Sequence, residues 1–92
     1  MPKYVIERDM PGAGQLSDSD LAAASQKSNE VLTSMSPRAR WLQSYVTDDK
    51  LFCVYVAEDP EAVREHAAKG GFPVTAVHRV STIIDPSTAE VA

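Results

Sequence analysis

Two runs near the middle of the chain, Arg40 to Thr47 and Lys50 to Ala57, are rich in aromatic and β-branched residues and are separated by Asp48 and Asp49. Residues of this kind fit a pleated, half-buried surface, and a short acidic break between two such runs reads as the turn of an antiparallel hairpin. Side chains alternate across a strand. Leu42, Val46, Phe52, Val54 and Val56 therefore form one set, and Trp41, Gln43, Tyr45, Leu51, Cys53 and Tyr55 form another. Both sets are too apolar for water, so the hairpin has to be covered twice. We expect the aliphatic set against helices and the aromatic set on an open face, where a partner subunit or a ligand covers it.

The flanking sequence supplies the helices. Ser17, with Asp20 three residues on, resembles a capping box with Asp in place of Glu, and it opens a run in which Leu21, Ala24, Ser28, Val31 and Met35 recur at spacings of three and four. That helix stops at Ser36, because Pro37 disfavours the α conformation in the residue before it. Asp59 and Pro60 are a good N-cap and first residue for a second helix, which Gly70-Gly71 closes with a left-handed stop. Residues 3–10 alternate weakly and end in Pro11-Gly12-Ala13-Gly14, which reads as a strand and a plain turn. A last strand is expected from Thr75 to Ile84, ending at Asp85-Pro86.

The resulting order is β-α-β-β-α-β, the split motif of the ferredoxin-like α+β class: a four-stranded antiparallel sheet with two helices on one face. Residues 1–86 are expected to form one domain, and 87–92 a frayed tail. With 92 residues the chain has room for one small core, so self-association is a natural way to cover the open face, and we expect a homodimer.

Composition narrows the function classes. A formal charge of −4 with dispersed Lys and Arg argues against nucleic acid, which requires clustered cations on several phosphates. No apolar run approaches the roughly 20 residues of a membrane span, and charged residues follow Met1 too soon for a secretory signal, so the expectation is a cytoplasmic protein without a membrane partner. The single cysteine, Cys53, forms neither an internal disulfide nor a Cys-based zinc site.

Six residues stand out as candidates for ligand binding. His66 shares a stripe of the second helix with Ala62, Val63 and Ala67, so its imidazole points at the sheet, either as a hydrogen-bonded core residue or as a base or metal ligand. Glu7, in an otherwise apolar strand, needs a cation, a donor or a raised pKa if it faces inward, and is scaffold if it pairs with Arg8 or Arg79. Trp41, Tyr45 and Tyr55 suit either a ligand pocket or an interface core. Cys53, flanked by Phe52 and Val54, reads as a buried thiol more readily than as a nucleophile. His78, beside Arg79 in the last strand, joins His66 as a candidate metal ligand, although the strong metal and hydrolase motifs are absent.

The segments Tyr4 to Arg8, Trp41 to Val46, Phe52 to Tyr55 and Ala57 to His66 resemble a family of small bacterial ferredoxin-like proteins of unknown function that includes nickel-binding dimers. The resemblance spans about three quarters of the chain and is most specific from Trp41 to Pro73. It implies the same fold, a dimer and Ni2+ as a ligand. In the nickel-binding members a histidine stands directly before the proline that closes the second helix; here Phe72 precedes Pro73.

Three readings follow. The first is a non-catalytic dimeric binding protein for a small ligand or a divalent metal, with His66 and Glu7 as polar anchors. The second is a cofactor-free enzyme of the monooxygenase or isomerase type, using Glu7 or His66 as base and Tyr45 or Tyr55 as donor in a helix-sheet pocket. The third is a docking module whose aromatic sheet face meets another protein.

Overall fold

The computed structural model describes residues 1–90. Strand β1 (Lys3–Asp9) leads through a short 3₁₀ turn (Ala13–Gln15) into helix α1 (Asp18–Met35). The hairpin β2 (Ala39–Val46) and β3 (Lys50–Ala57) follows, then helix α2 (Pro60–Gly70) and strand β4 (Ala76–Arg79). The sheet is antiparallel throughout in the order β2-β3-β1-β4, with β1 and β3 at its centre. This is an α+β fold of two layers. No described helix is long and apolar enough to cross a membrane.

The helix ends follow local chemistry. Ser17 accepts from the backbone N–H of Asp20, and Asp20 accepts in return from the N–H of Ser17, so both partners of the capping box are in place. Ser36 is extended, as the following proline requires. Asp59 caps α2 by accepting from the Ala62 N–H at 2.8 Å, and Gly71 ends it in the left-handed region at φ 69°. The acidic turn of the hairpin also anchors a neighbouring loop. Asp48 and Asp49 accept from backbone N–H groups of Met10, Gly12 and Gly14, tying the β1–α1 connection to the hairpin tip. Gly12 carries φ 79°, and Gly14 lets the loop backbone lie directly on Asp48.

The faces of the hairpin are the reverse of the sequence-based expectation over most of its length. Cys53, Tyr55 and Ala57 are buried beneath the helices with Met35, Ala62 and Val63, whereas Phe52, Val54 and Val56 are half-buried on the open side. Register explains the choice. Tyr4 lies opposite Tyr55, Ile6 opposite Cys53 and Arg8 opposite Leu51, so the alternative packing would turn Lys3, Glu7 and Asp9 of β1 into the core. Burying three charges costs far more than burying one.

The aromatic set is also divided. Trp41 faces Tyr55 in register, but a bulge at Leu42 brings Gln43 opposite Val54 and Tyr45 opposite Phe52. An extra residue inverts the alternation downstream of it. Trp41 therefore packs against the core while Gln43 and Tyr45 reach the open face, the side expected for them.

The last strand is shorter than its apolar pattern suggests. Val80 donates to the Lys3 carbonyl, after which β1 offers no further ladder partners, and residues 80–85 run on without regular structure. Pro86–Glu90 form an exposed 3₁₀ turn in which Ser87 donates to the Asp85 carboxylate; positions 91 and 92 of the expected tail lie outside the described residues.

Candidate functional site

Between the N-terminal half of α1 and the sheet lies a cavity of about 200 Å³. Leu16, Leu21, Ala24 and Ser25 form its roof, and Trp41, Leu51, Cys53 and Tyr55 its floor. It exists because α1 packs closely only over its second half: Ser28 and Met35 are buried, whereas Leu21 and Ser25 are partly exposed and Ala24 is exposed. Small residues on the first turns leave space that bulkier ones would fill.

Arg8 and Phe72 close the end of this cavity nearest α2. Alternation along β1 carries Arg8 inward with Tyr4 and Ile6, and it is 3% exposed. Its Nη1 donates to the Pro73 carbonyl at 2.7 Å, and its Nε to Cys53 Sγ at 3.4 Å. The Phe72 ring lies 5.5 Å from Cζ, within cation–π range. Nη2 is buried and has no partner. Among the described residues no carboxylate lies within ion-pair distance of this guanidinium.

Phe72 reaches this position through the two glycines before it. Gly71 reverses the chain and lets the Phe72 N–H return to the Ala67 carbonyl at 2.9 Å. Gly70 has no Cβ where the Phe72 ring lies against it.

His66 stands behind the cavity wall, fully buried, with the Tyr55 ring at 5.2 Å and the Phe72 ring at 5.5 Å. Its Nε2 is hydrogen-bonded to Ser28 Oγ at 3.0 Å, while Nδ1 has no partner. Burial first, and the nearby Arg8 charge second, push its pKa down to about 4. The imidazole is neutral at neutral pH. Tyr55 is displaced the other way, since burial raises its pKa and keeps the phenol protonated.

The remaining candidates lie on the opposite face. Glu7 pairs with Lys50 at 2.7 Å, a cation other than the Arg8 or Arg79 considered for it, and Lys50 also holds Asp9 at 2.8 Å. That hydrogen-bonded ammonium keeps the Glu7 carboxyl below its usual range. His78 Nε2 lies 3.6 Å from Glu7 Oε1. Tyr45 is 55% exposed and accepts from Gln43 Nε2. Of the six candidate ligand residues, Trp41, Cys53 and Tyr55 meet in the cavity, His66 supports it from behind, and Glu7 and Tyr45 are separated from it by the sheet.

This division bears on the expected chemistry. Of the base and donor pairs an enzymatic reading could use, His66 and Tyr55 lie together with ring centroids 5.2 Å apart, but His66 is completely buried, and Glu7 and Tyr45 occupy the other face of the sheet, away from the cavity. His66 and His78 lie on opposite sides of the sheet and cannot ligate one ion within a chain. Among the described residues no group of three or more His, Cys, Asp or Glu is placed to hold a metal. The donors of a single chain therefore do not suit nickel.

Arg8, Ser28 and Phe72 are the site residues that sequence reasoning did not single out. Arg8 was legible in principle, as a cation in phase with Tyr4 and Ile6 on the apolar side of β1. Phe72 carried no such signal, because its position depends on the chain reversal at Gly71.

The fold and site define a class: a small two-layer α+β protein with an apolar cavity under its first helix and a buried cation in the cavity wall. Within that class the chain belongs to the SCO4226-like family, described as nickel responsive proteins, whose family model matches residues 4–80. The crystal structure of SCO4226 from Streptomyces coelicolor A3(2) is similar to it, with a TM-score of 0.75 at 16% sequence identity over 89% of this chain and 99% of that one. At that identity the likeness is one of fold. Comparison with curated proteins finds no match.

Proposed function

We propose that this chain is a non-catalytic binding module of ferredoxin-like fold whose site is the cavity between α1 and the sheet. The observation that carries this reading is the cavity itself, about 200 Å³ with a largely apolar wall interrupted by Arg8, Cys53, Tyr55 and the hydroxyls of Ser25, Ser28 and Ser44. Concave apolar sites with a few convergent polar groups are the usual seats of small ligands. Its size suits a compact molecule: a cavity of about 150 Å³ accommodates benzene. An NMR screen of small aromatic and branched aliphatic compounds is the test. Saturable shifts centred on Leu21, Trp41 and Phe72 are expected, and Leu21→Trp, which fills the space, abolishes them. Absence of saturable binding, or binding untouched by Leu21→Trp, sinks the reading.

A second reading concerns the open face and rests on the family's description as nickel responsive. Val5, Phe52, Val54 and Val56 are half-buried there, Tyr45 is exposed, and Ile83 and Ile84 are 66% and 75% exposed beyond β4. We propose that two copies cover this face as a homodimer. The Glu7–His78 pair lies on the same surface, so two copies would present four nickel donors where one chain has two. Calorimetric titration with nickel tests the metal: heat that survives His78→Ala unchanged rules this site out.

A further inference from the structure

A buried cation without a counter-charge is costly. Removing a guanidinium from water sacrifices several kcal/mol of hydration, which is recovered only if its donors are satisfied and its charge is balanced. Arg8 has five N–H donors and uses two, on the Pro73 carbonyl and on Cys53 Sγ, the second a weak acceptor. The Phe72 face contributes a further partial contact.

The acidic residues nearest in sequence do not help. Glu7 and Asp9 flank Arg8, yet strand alternation turns both to the other face, where Lys50 takes them. In a chain with 13 acidic residues, the buried charged side chain is left without a carboxylate among the described residues. His66 adds no negative charge, and Tyr55 is held in its neutral form. This corner of the core carries an unbalanced positive charge, and it borders a cavity.

We infer that the cavity takes a small monocarboxylate with an apolar body, its ring or branched chain lying between Leu21 and Trp41 and its carboxylate meeting the guanidinium of Arg8 in the cavity wall. This deepens the binding-module reading and rests on it. The cavity's size allows a single ring bearing a small substituent, since about 150 Å³ already holds the ring. Guanidinium and carboxylate match in geometry, and charge-assisted pairs of this kind are about twice as strong as neutral ones. A dication meets a like charge in Arg8, and a neutral polyol leaves that charge unbalanced.

Benzoate, benzyl alcohol and acetate, titrated at pH 7 into the full chain and followed by calorimetry and backbone NMR, test the assignment. Benzoate is expected to bind about 10- to 100-fold more tightly than benzyl alcohol, which keeps the ring and lacks the charge, and acetate more weakly than benzoate. Arg8→Met, close in length and apolar, is expected to remove the preference while retaining benzyl alcohol. If Arg8→Met does not fold, Leu21→Trp serves instead, and it must abolish benzoate binding. Equal affinity for the two ring compounds, or a preference that survives Arg8→Met, overturns the carboxylate assignment and leaves the cavity as the site. Binding of neither ring compound overturns both.

Discussion

Ser28 Oγ on α1 and His66 Nε2 on α2 are hydrogen-bonded at 3.0 Å, joining the two helices through an imidazole that is completely buried. The bond holds the helices together at the point where α1 begins to lift from the sheet, so it also fixes the inner edge of the cavity. Because the pKa of this histidine falls from an ordinary 6.5 to about 4 on folding, the pair has a measurable signature.

The unfolded chain binds the His66 proton more readily than the folded one, so stability rises with pH between about 4 and 6.5. Lowering the pH from 7.5 to 5 is expected to cost about 2 kcal/mol at this residue alone, before the carboxylates titrate. Urea denaturation as a function of pH measures it. His66→Gln, which cannot charge, should flatten the profile in that window; an unchanged slope would mean that another group is responsible.

Gly70→Ala is expected to destabilise the protein by about 1–3 kcal/mol, the usual range for inserting atoms into a packed site. In an ordinary helix the same substitution stabilises by roughly 1 kcal/mol. The sign reverses because the added methyl collides with the Phe72 ring, which is held between Arg8 and His66. Equilibrium unfolding gives the sign directly, and a stabilised variant would show that Phe72 moves aside freely.

Ser17→Ala removes one half of the capping box and should cost about 1 kcal/mol. The effect is expected to be local. α1 packs loosely over its first turns, so hydrogen exchange should quicken from Leu21 to Ser25 while α2 is unaffected. Uniform acceleration across both helices would indicate that the cavity roof unfolds only with the whole domain.

The proposed dimer makes a mass prediction. Light scattering should give twice the mass of the 10.0 kDa chain, and Val54→Lys, placed at the centre of the open face, should return it to one. A wild-type chain that scatters as a single copy at high concentration counts against the proposed pairing.

Much of the fold was legible in local pattern. The hairpin turn at Asp48-Asp49, the cap at Ser17, the stop at Ser36 and the close of α2 at Gly71 depend on residues within a few positions of one another, and each was placed to within a residue or two. The end of β4 was not legible, since an apolar run to Ile84 stays in a sheet only while a neighbouring strand is there to pair with it. Of the candidate site, the inward placement of His66 on its helix stripe was legible, but the turning of Trp41 and Tyr55 to the same side of the sheet was not.

The sequence by itself determined the number and order of the strands and helices, because periodicity, capping and turn chemistry act within short stretches of chain. Which side of the sheet received the helices was decided by tertiary structure alone. Pairing of β1 with β3 obliged Tyr55 and Cys53 to follow Tyr4 and Ile6 inward, since the opposite choice would bury Lys3, Glu7 and Asp9 together. That same choice carried Arg8 into the wall of a cavity, a position no local pattern specifies, because its cost and its use both depend on what lies across the core.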